Sequence, residues 1–404
     1  MSSQSNKNTS VFLDGGLSHA EAQRGGAGGS TSVSTTIDRS TWKRVRLGDV
    51  CEISKGEQLN RTTLAEKGRI PVYNGGSAPS GYAEEANTDA ENVIISEGGN
   101  SCGYVNYIHV PFWRGGHCYL LDTKLDKLLL YYVLKANESK IMSLRVGTGL
   151  PNIQRKRLNA FEFDLPIDTI KQRQIVSAFV SIDTHISALQ SLIAKYEAIK
   201  KATVNLLLEP KDEWRIVPLG EICEVCSTRR VHESDWTDLG VPFYRARELV
   251  ALNEGRSITP LHISENLYKE LIASSGAIRP GDLLVTGVGS IGVPYLVKRD
   301  DKFYFKDGNI IWFKNRGEIL PDYFLHAFRS DHIQKQIIEM ACVGTVGSYT
   351  ITNGKRTLIA LPPLDEQKRI VAILDSIDGT ISGLKSQLAK AQDIKQGMMS
   401  YFFG

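Results

Sequence analysis

Trp42-Lys-Arg-Val-Arg-Leu47-Gly48-Asp49-Val50-Cys51-Glu52-Ile53 returns 172 residues later as Trp214-Arg-Ile-Val-Pro-Leu219-Gly220-Glu221-Ile222-Cys223-Glu224-Val225. Four further segments return in the same order. Ile70-Pro71-Val72-Tyr73 comes back as Val241-Pro242-Phe243-Tyr244. Asn92-Val-Ile-Ile-Ser96, leading to Gly99 and Gly103, comes back as Asp282-Leu-Leu-Val-Thr286, leading to Gly289 and Gly292. Leu165-Pro166 runs into Gln174-Ile175-Val176, and Leu361-Pro362 runs into Arg369-Ile370-Val371. Ser181-Ile182-Asp183 matches Ser376-Ile377-Asp378, by then at an offset of 195. One such pair is weak evidence, but five in order establish an internal duplication with insertions in the second copy.

Each copy opens with a mixed region of short β-rich runs and Gly-containing turns, at about 41–168 and 212–364. A long helix is expected after each, at 169–211 and 365–404. In the first, apolar residues fall at Ile175, Phe179, Ile182, Ile186, Leu189, Ile193 and Tyr196. In the second they fall at Ile370, Leu374, Ile377, Ile381, Leu384, Leu388, Ala391, Met398 and Phe402. Steps of four and three make a heptad seam, which Lys200 and Lys395 interrupt at matching places. The alternative is a long helix lying on a globular core, which usually shows a wider apolar stripe. A helix of about 35–40 residues spans about 50–60 Å, so it projects. Two equal seams in one chain are buried most simply against each other. The expected fold class is therefore α+β: two mixed α/β domains, each followed by a long helix, the helices paired as an antiparallel coiled coil with pseudo-two-fold symmetry. Residues 1–40, rich in Ser, Thr and Gly, are read as a disordered tail.

Composition agrees with a chain of two or three domains. Its 404 residues are 42% hydrophobic and 23% charged, which excludes wholesale disorder. Consecutive apolar runs fall well short of the roughly 18–20 residues of a membrane span, and MSSQSNKNTS has no signal-peptide pattern, so no membrane partner and a cytoplasmic setting are expected. Net charge of +3 neither requires nor forbids nucleic acid. Six cysteines are too few for a disulfide framework and read as reduced thiols; the lone Cys223-Glu-Val-Cys226 reads as strand.

Chemistry is hard to find. The eight histidines fall in no metal-ligand spacing, and a Walker A motif is absent. Thr286-Gly-Val-Gly289-Ser-Ile-Gly292 looks like a dinucleotide loop, but its other copy, Ser96-Glu-Gly-Gly99-Asn-Ser-Cys-Gly103, and the lack of a placed acidic residue favour a tight β-turn. Polar and aromatic side chains gather in the loops instead. In the first copy they are Lys55, Gln58, Asn60, Arg61, Tyr73, Asn74, Asn100, Tyr104, Arg145, Asn152, Gln154, Arg155 and Lys156. In the second they are Arg229, Arg230, Tyr244, Arg245, Arg247, Ser290, Ser348, Tyr349, Thr350, Asn353, Lys355 and Arg356. Arg, Lys, Asn and Gln read purine edges, and hydroxyls and backbone N–H groups hold phosphate. Any one of these residues read alone is a solvated loop residue. Their matched placement favours a DNA-binding set, and differences such as Asn74 opposite Arg245 suit two readers of two sequences.

The chain at this point resembles the specificity subunit of type I restriction–modification systems. The resemblance rests on the Trp-x-x-x-x-Leu-Gly openings, the Leu361-Pro-Pro-Leu-Asp-Glu-Gln-Lys-Arg-Ile-Val371 run with its degenerate copy from Leu165, and the order domain, helix, domain, helix. It implies that each mixed domain is a target recognition domain for one half of a bipartite double-stranded DNA site, and that the paired helices set the spacer. It further implies docking of two methyltransferase subunits, which carry S-adenosylmethionine, and of a restriction/motor subunit. This chain itself would then hold no catalytic residues, metal or cofactor. Two other readings remain at this stage: a duplicated ligand-binding enzyme using the 286–292 loop, and a coiled-coil scaffold without DNA contact.

Overall fold

A computed structural model describes residues 39–404 except 61, 63, 148, 150, 307 and 342–346. Most of the expected tail, the candidate Arg61 and Cys342 therefore lie outside the described residues. The first described residues, Arg39–Thr41, form a single 3-10 turn.

The Trp-Leu-Gly openings are strands that close each domain on itself. Trp42–Arg46 pairs antiparallel with Glu162–Pro166, and Arg215–Pro218 pairs with Leu358–Leu361. A four-residue helical turn follows each opening strand, at Leu47–Val50 and Leu219–Ile222, burying both leucines. The chain then enters a four-stranded antiparallel sheet. In the first domain its order is Cys51–Lys55, Cys118–Thr123, Asn92–Ser96, Val105–Ile108. In the second it is Cys223–Cys226, Ile310–Asn315, Leu283–Thr286, Pro294–Leu296. The Asn92–Ser96 and Leu283–Thr286 runs lack polar alternation because every residue in them is buried. A smaller sheet repeats as well. Ile70–Tyr73 runs parallel to Trp113–Arg114, as Val241–Tyr244 runs parallel to Tyr304–Phe305.

The insertion has a definite place. Between Tyr244 and Asp282 the second domain carries helices Ala246–Asn253 and Glu265–Ser275, where the first domain has only the short strand Gly81–Ala83. Ser264 caps the second of these helices by accepting a hydrogen bond from Leu267 N at 3.2 Å, and Gly276, at φ +82°, ends it.

The long helices run Thr169–Leu207 and Leu364–Phe403. Ion pairs Asp183–Lys395, Glu197–Lys385 and Lys200–Asp378 rise along one helix while falling along the other, so the pair is antiparallel. The two lysines that interrupt the seam thus meet aspartates at positions related by the same 195-residue repeat. Ile175, Phe179, Leu189 and Ile193 are buried in the first helix, and Ile370, Leu374, Ile381, Ala391, Met399 and Phe403 in the second. At the far end of the second helix Met399 and Phe403 are buried as well as the expected Met398 and Phe402, which are partly buried. There the helix packs on Phe179 of its partner and into the first domain beside Trp42, so its apolar face widens. By length and composition Thr169–Leu207 is apolar enough to cross a membrane; here its buried residues face the seam and the domain cores.

A glutamine fixes each strand-to-helix corner. Gln172 Nε2 donates to Pro166 O at 2.7 Å, and Gln367 Nε2 donates to Pro362 O at 2.9 Å.

Candidate nucleic-acid interface

The glycine loops are hairpin turns between sheet strands. Ser96 N donates to Tyr104 O and Gly103 N to Ser96 O; Thr286 N donates to Val293 O and Gly292 N to Thr286 O. Gly99 and Gly289 sit at φ +74° and +75°, a conformation that side chains other than glycine rarely adopt. The next element is a strand in both copies, so neither loop opens a phosphate-cradling helix. The turns present Asn100 and Ser290 to solvent.

In the first domain three loops converge on the hairpin tip. Gly99 N donates to Pro151 O, Ile153 N to Glu97 O, and Val146 bridges Asn152. This brings Asn100, Arg145, Asn152, Arg155 and Lys156 to one end of the domain, all exposed, with Gln154 beside them. Arg155 and Lys156 open the short helix Arg155–Asn159. A second cluster lies at the small sheet. Gln58 and Asn74 line a cleft of 310 Å³, and Asn74 Oδ1 accepts from His117 N at 3.2 Å. A Cβ on Gly115 would stand 2.4 Å from Asn74 Oδ1, so only glycine fits there. Asn60 Oδ1 accepts from Thr62 N, within the same loop.

Several expected readers in this domain are committed to the protein. Lys55 is paired with Glu97, a carboxylate that also takes the Tyr119 hydroxyl at 3.2 Å. Tyr73 packs edge-on against Phe112 at 5.9 Å, and burial raises its hydroxyl pKa. Lys135 covers the Tyr104 ring at 3.8 Å.

The second domain requires clearer corrections. Tyr349 was expected at the interface, but it is 1% exposed and its hydroxyl lies 2.6 Å from Thr357 Oγ1. It is a core residue, matching Ile153 of the first copy. Thr350 caps the helix Ile351–Arg356 by accepting from Asn353 N at 3.2 Å, and Asn353 Nδ2 donates to Met340 O. Both serve local structure, as does the half-buried Ser348, whose N donates to Ala341 O. Lys355 and Arg356 stay exposed. Tyr244 stacks on Phe303 at 4.2 Å. Arg229 and Arg230 are exposed; the backbone of Arg229 is held by Tyr304 Oη at 2.9 Å.

Arg245 and Arg247 share one partner that the sequence reading missed. Arg245 gives Nε and Nη2 to Glu248 at 3.1 and 2.7 Å, while Arg247 gives Nε at 2.7 Å. Burial alone would raise the Glu248 pKa, but hydrogen bonds from the two arginines outweigh it and hold the carboxyl below its ordinary value. The signal was present in Arg245-x-x-Glu248, the N-cap-to-N3 spacing of a capping box. Arg247, Arg256, Ser257, Thr259, Gly289 and Ser290 line a 590 Å³ cleft between this helix and the hairpin tip.

Among the described residues no group of three His, Cys, Asp or Glu side chains could hold a metal ion. Cys223 and Cys226 lie in a strand, and burial pushes the Cys223 thiol up to about 12 and those of Cys51 and Cys118 to about 11, so these are inert thiols.

The family described as the type I restriction modification DNA specificity domain matches residues 39–198 and again 211–392. A putative type I specificity subunit of Mycoplasma pneumoniae is 38% identical over 229 residues, 51% of this chain and 60% of that protein. A putative type I restriction enzyme specificity subunit of Haemophilus influenzae is 24% identical over 85% of this chain and 89% of its own. The chain thus spans less than two thirds of the first relative and most of the second. The crystal structure of a type I restriction–modification S subunit from M. genitalium superposes with a TM-score of 0.63 at 20% identity, over 91% of this chain and 98% of that one.

Proposed function

The chain belongs to the type I restriction–modification DNA specificity family, with the domain present twice, and from that premise we propose that it reads a bipartite DNA site, one half per domain. The observation that carries this is the internal two-fold. The two domains share strand order, register and corner chemistry, yet differ at their solvent-facing tips: Asn100, Arg145 and Arg155 in one, Arg247, Ser290 and Lys355 in the other. A scaffold has no need to repeat a frame while varying its tips, and two readers do. The helix pair sets the unread spacer between the halves.

The outer face of the helix pair supports two copies of one partner. Leu192, Ile199 and Leu206 are exposed at seven-residue intervals on the first helix, and Ile394 and Tyr401 on the second. Ile199 and Ile394, and Leu206 and Tyr401, are related by the 195-residue repeat. Equivalent apolar stripes on two equivalent helices suit two methyltransferase subunits, each docking helix against helix. Those subunits bring S-adenosylmethionine and the methyl transfer to adenine; a motor-nuclease subunit joins for restriction. This chain supplies recognition, with no catalytic residue or cofactor of its own.

The test is a methylome. The chain is expressed with the methyltransferase subunit of its own system in a methylation-free host, and modified adenines are sequenced. A gapped, two-part motif that depends on this chain is expected. Methylation without a gapped motif, or independent of the chain, refutes the reading.

A further inference from the structure

Glu248 stands out among the charged groups outside the helix pair. It is 4% exposed, and it accepts four hydrogen bonds, from Arg245 N, Arg245 Nε, Arg245 Nη2 and Arg247 Nε. A buried carboxylate is costly unless it is fully paired. Here the two arginines are not equal partners. Arg245 is drawn in, with 22% of its side chain exposed, and its fork closes on the carboxylate. Arg247 touches the same carboxylate through Nε alone, and 68% of its side chain is exposed.

The consequence is geometric. A guanidinium is planar, so a bond at Nε restricts its orientation, and with 68% of the Arg247 side chain exposed its Nη1/Nη2 edge is left for a ligand. That edge carries two parallel N–H donors at the spacing of guanine O6 and N7, the commonest specific contact in the major groove. A fork already held by a carboxylate loses less rotamer freedom on binding than a free one. One carboxylate against two guanidiniums leaves a positive charge on the exposed side. The cleft that Arg247 enters is flanked by Arg256, Ser257, Thr259 and the Gly289–Ser290 tip, donors suited to the adjacent phosphate. Nothing stands within 4 Å of where a Cβ on Gly289 would be, so the tip is open to an approaching backbone.

Among the described residues the first domain has no such device. Asn74-Gly75-Gly76-Ser77 occupies the place of Arg245-Ala246-Arg247-Glu248. We propose that Glu248 is a positioning residue that holds Arg247 as a guanine-reading fork, and that the half-site read by residues 212–364 therefore contains a G·C pair contacted in the major groove. This rests on the DNA-reading function proposed above.

The experiment uses the complex of this chain with its methyltransferase subunits. Labelled duplexes carry the wild-type methylated motif or single base-pair substitutions along both half-sites. For the wild type, one G·C pair in one half-site is expected to discriminate by about 5- to 150-fold, the range of one bidentate contact. Arg247→Ala removes every donor, so it is expected to abolish discrimination at that pair alone, whereas Arg247→Lys keeps the charge without the planar fork and is expected to keep part of it. Glu248→Gln keeps the size and loses the charge, so it is expected to weaken discrimination at the same pair, while Glu248→Asp restores part of it. The other half-site is the internal control and stays unchanged. If Glu248→Gln fails to fold, Arg247→Ala, at a side chain that is 68% exposed, still decides the matter. A second half-site without a critical G·C pair overturns the proposal, as does a loss of affinity equal on all duplexes, the mark of a phosphate contact. A wild-type complex with no gapped motif is a different result: it removes the DNA-reading premise itself.

Discussion

The two ends of the helix pair are built to one plan and finished differently. At the second domain, Trp214 Nε1 donates to Glu366 Oε2 at 3.0 Å, and Lys211 closes on the same carboxylate. At the first domain the position equivalent to Glu366 is Lys171, whose Nζ donates to Thr41 Oγ1 at 3.4 Å. Trp42 Nε1 is buried there with no hydrogen-bond partner among the described residues. Aromatic packing takes the place of the polar clasp. Phe179 stacks on Tyr132 at 4.5 Å and on Phe403 at 5.9 Å, and Phe403 meets Trp42 edge-on at 6.2 Å. Its equivalent at the other end is Leu374. A duplicated joint can thus keep its backbone geometry while exchanging an ionic fastening for an aromatic one, because the corner glutamines and strand pairing hold the frame in both.

This contrast predicts a ranking. Phe179→Ala should cost about 3–5 kcal/mol, and Leu374→Ala about 2–5 kcal/mol with less of the loss coming from ring stacking. Equilibrium denaturation followed at each domain would show the first domain loosening first in Phe179→Ala. Equal loosening of both domains would mean the joints are not independent.

The matched ion pairs come next. Asp183 is held by Lys395 and also accepts from Tyr132 Oη at 2.8 Å, whereas Asp378 is held by Lys200, with the Arg329 guanidinium near enough to attract it but no tyrosine hydroxyl on it among the described residues. Asp183→Asn is expected to cost about 1–3 kcal/mol, in the range of a charged hydrogen bond. Asp378→Asn should cost only about 0.2–1 kcal/mol, as partly exposed pairs do. Equal costs would argue against the tyrosine as the source of the difference.

The smallest effect is one of pH. The Lys211 hydrogen bond, with help from Trp214, lowers the Glu366 pKa. A lowered carboxylate pKa adds stability that is complete above the unfolded value and is lost as pH falls through the lower folded one. Melting temperatures of wild type and Glu366→Gln should therefore differ at neutral pH and converge in acid. The first domain has no carboxylate at the equivalent position, which is Lys171. A gap that persists in acid would assign the clasp to packing rather than charge.

Legibility in the sequence followed the physics of each feature. The duplication, the antiparallel pair and the matching of Lys200 with Lys395 were all readable, because heptad spacing and repeat order are one-dimensional properties. The tips were less so. Tyr349 shares the polar-aromatic character of an interface residue, and only its burial beside Thr357 shows that it belongs to the core. Arg245 looked equivalent to Arg247, and a carboxylate three residues on decides which of them faces outward. Glu97 pairs with Lys55 in the same way, although Lys55 itself stays exposed. Loop chemistry names the groups capable of contact, while their commitment to other residues is settled in three dimensions.

The way both helices enter both cores has a consequence for the order in which the molecule forms. The core of the first domain includes Met399 and Phe403, while that of the second takes Val204 and Leu207 from the helix that precedes it. On a ribosome the second domain therefore finds its borrowed residues already made. The first waits for residues nearly two hundred positions beyond Leu207, which at about 5–20 residues per second is about 10–40 s. Through that interval the face around Phe179 is uncovered, and the domain that emerges first is the one that finishes last.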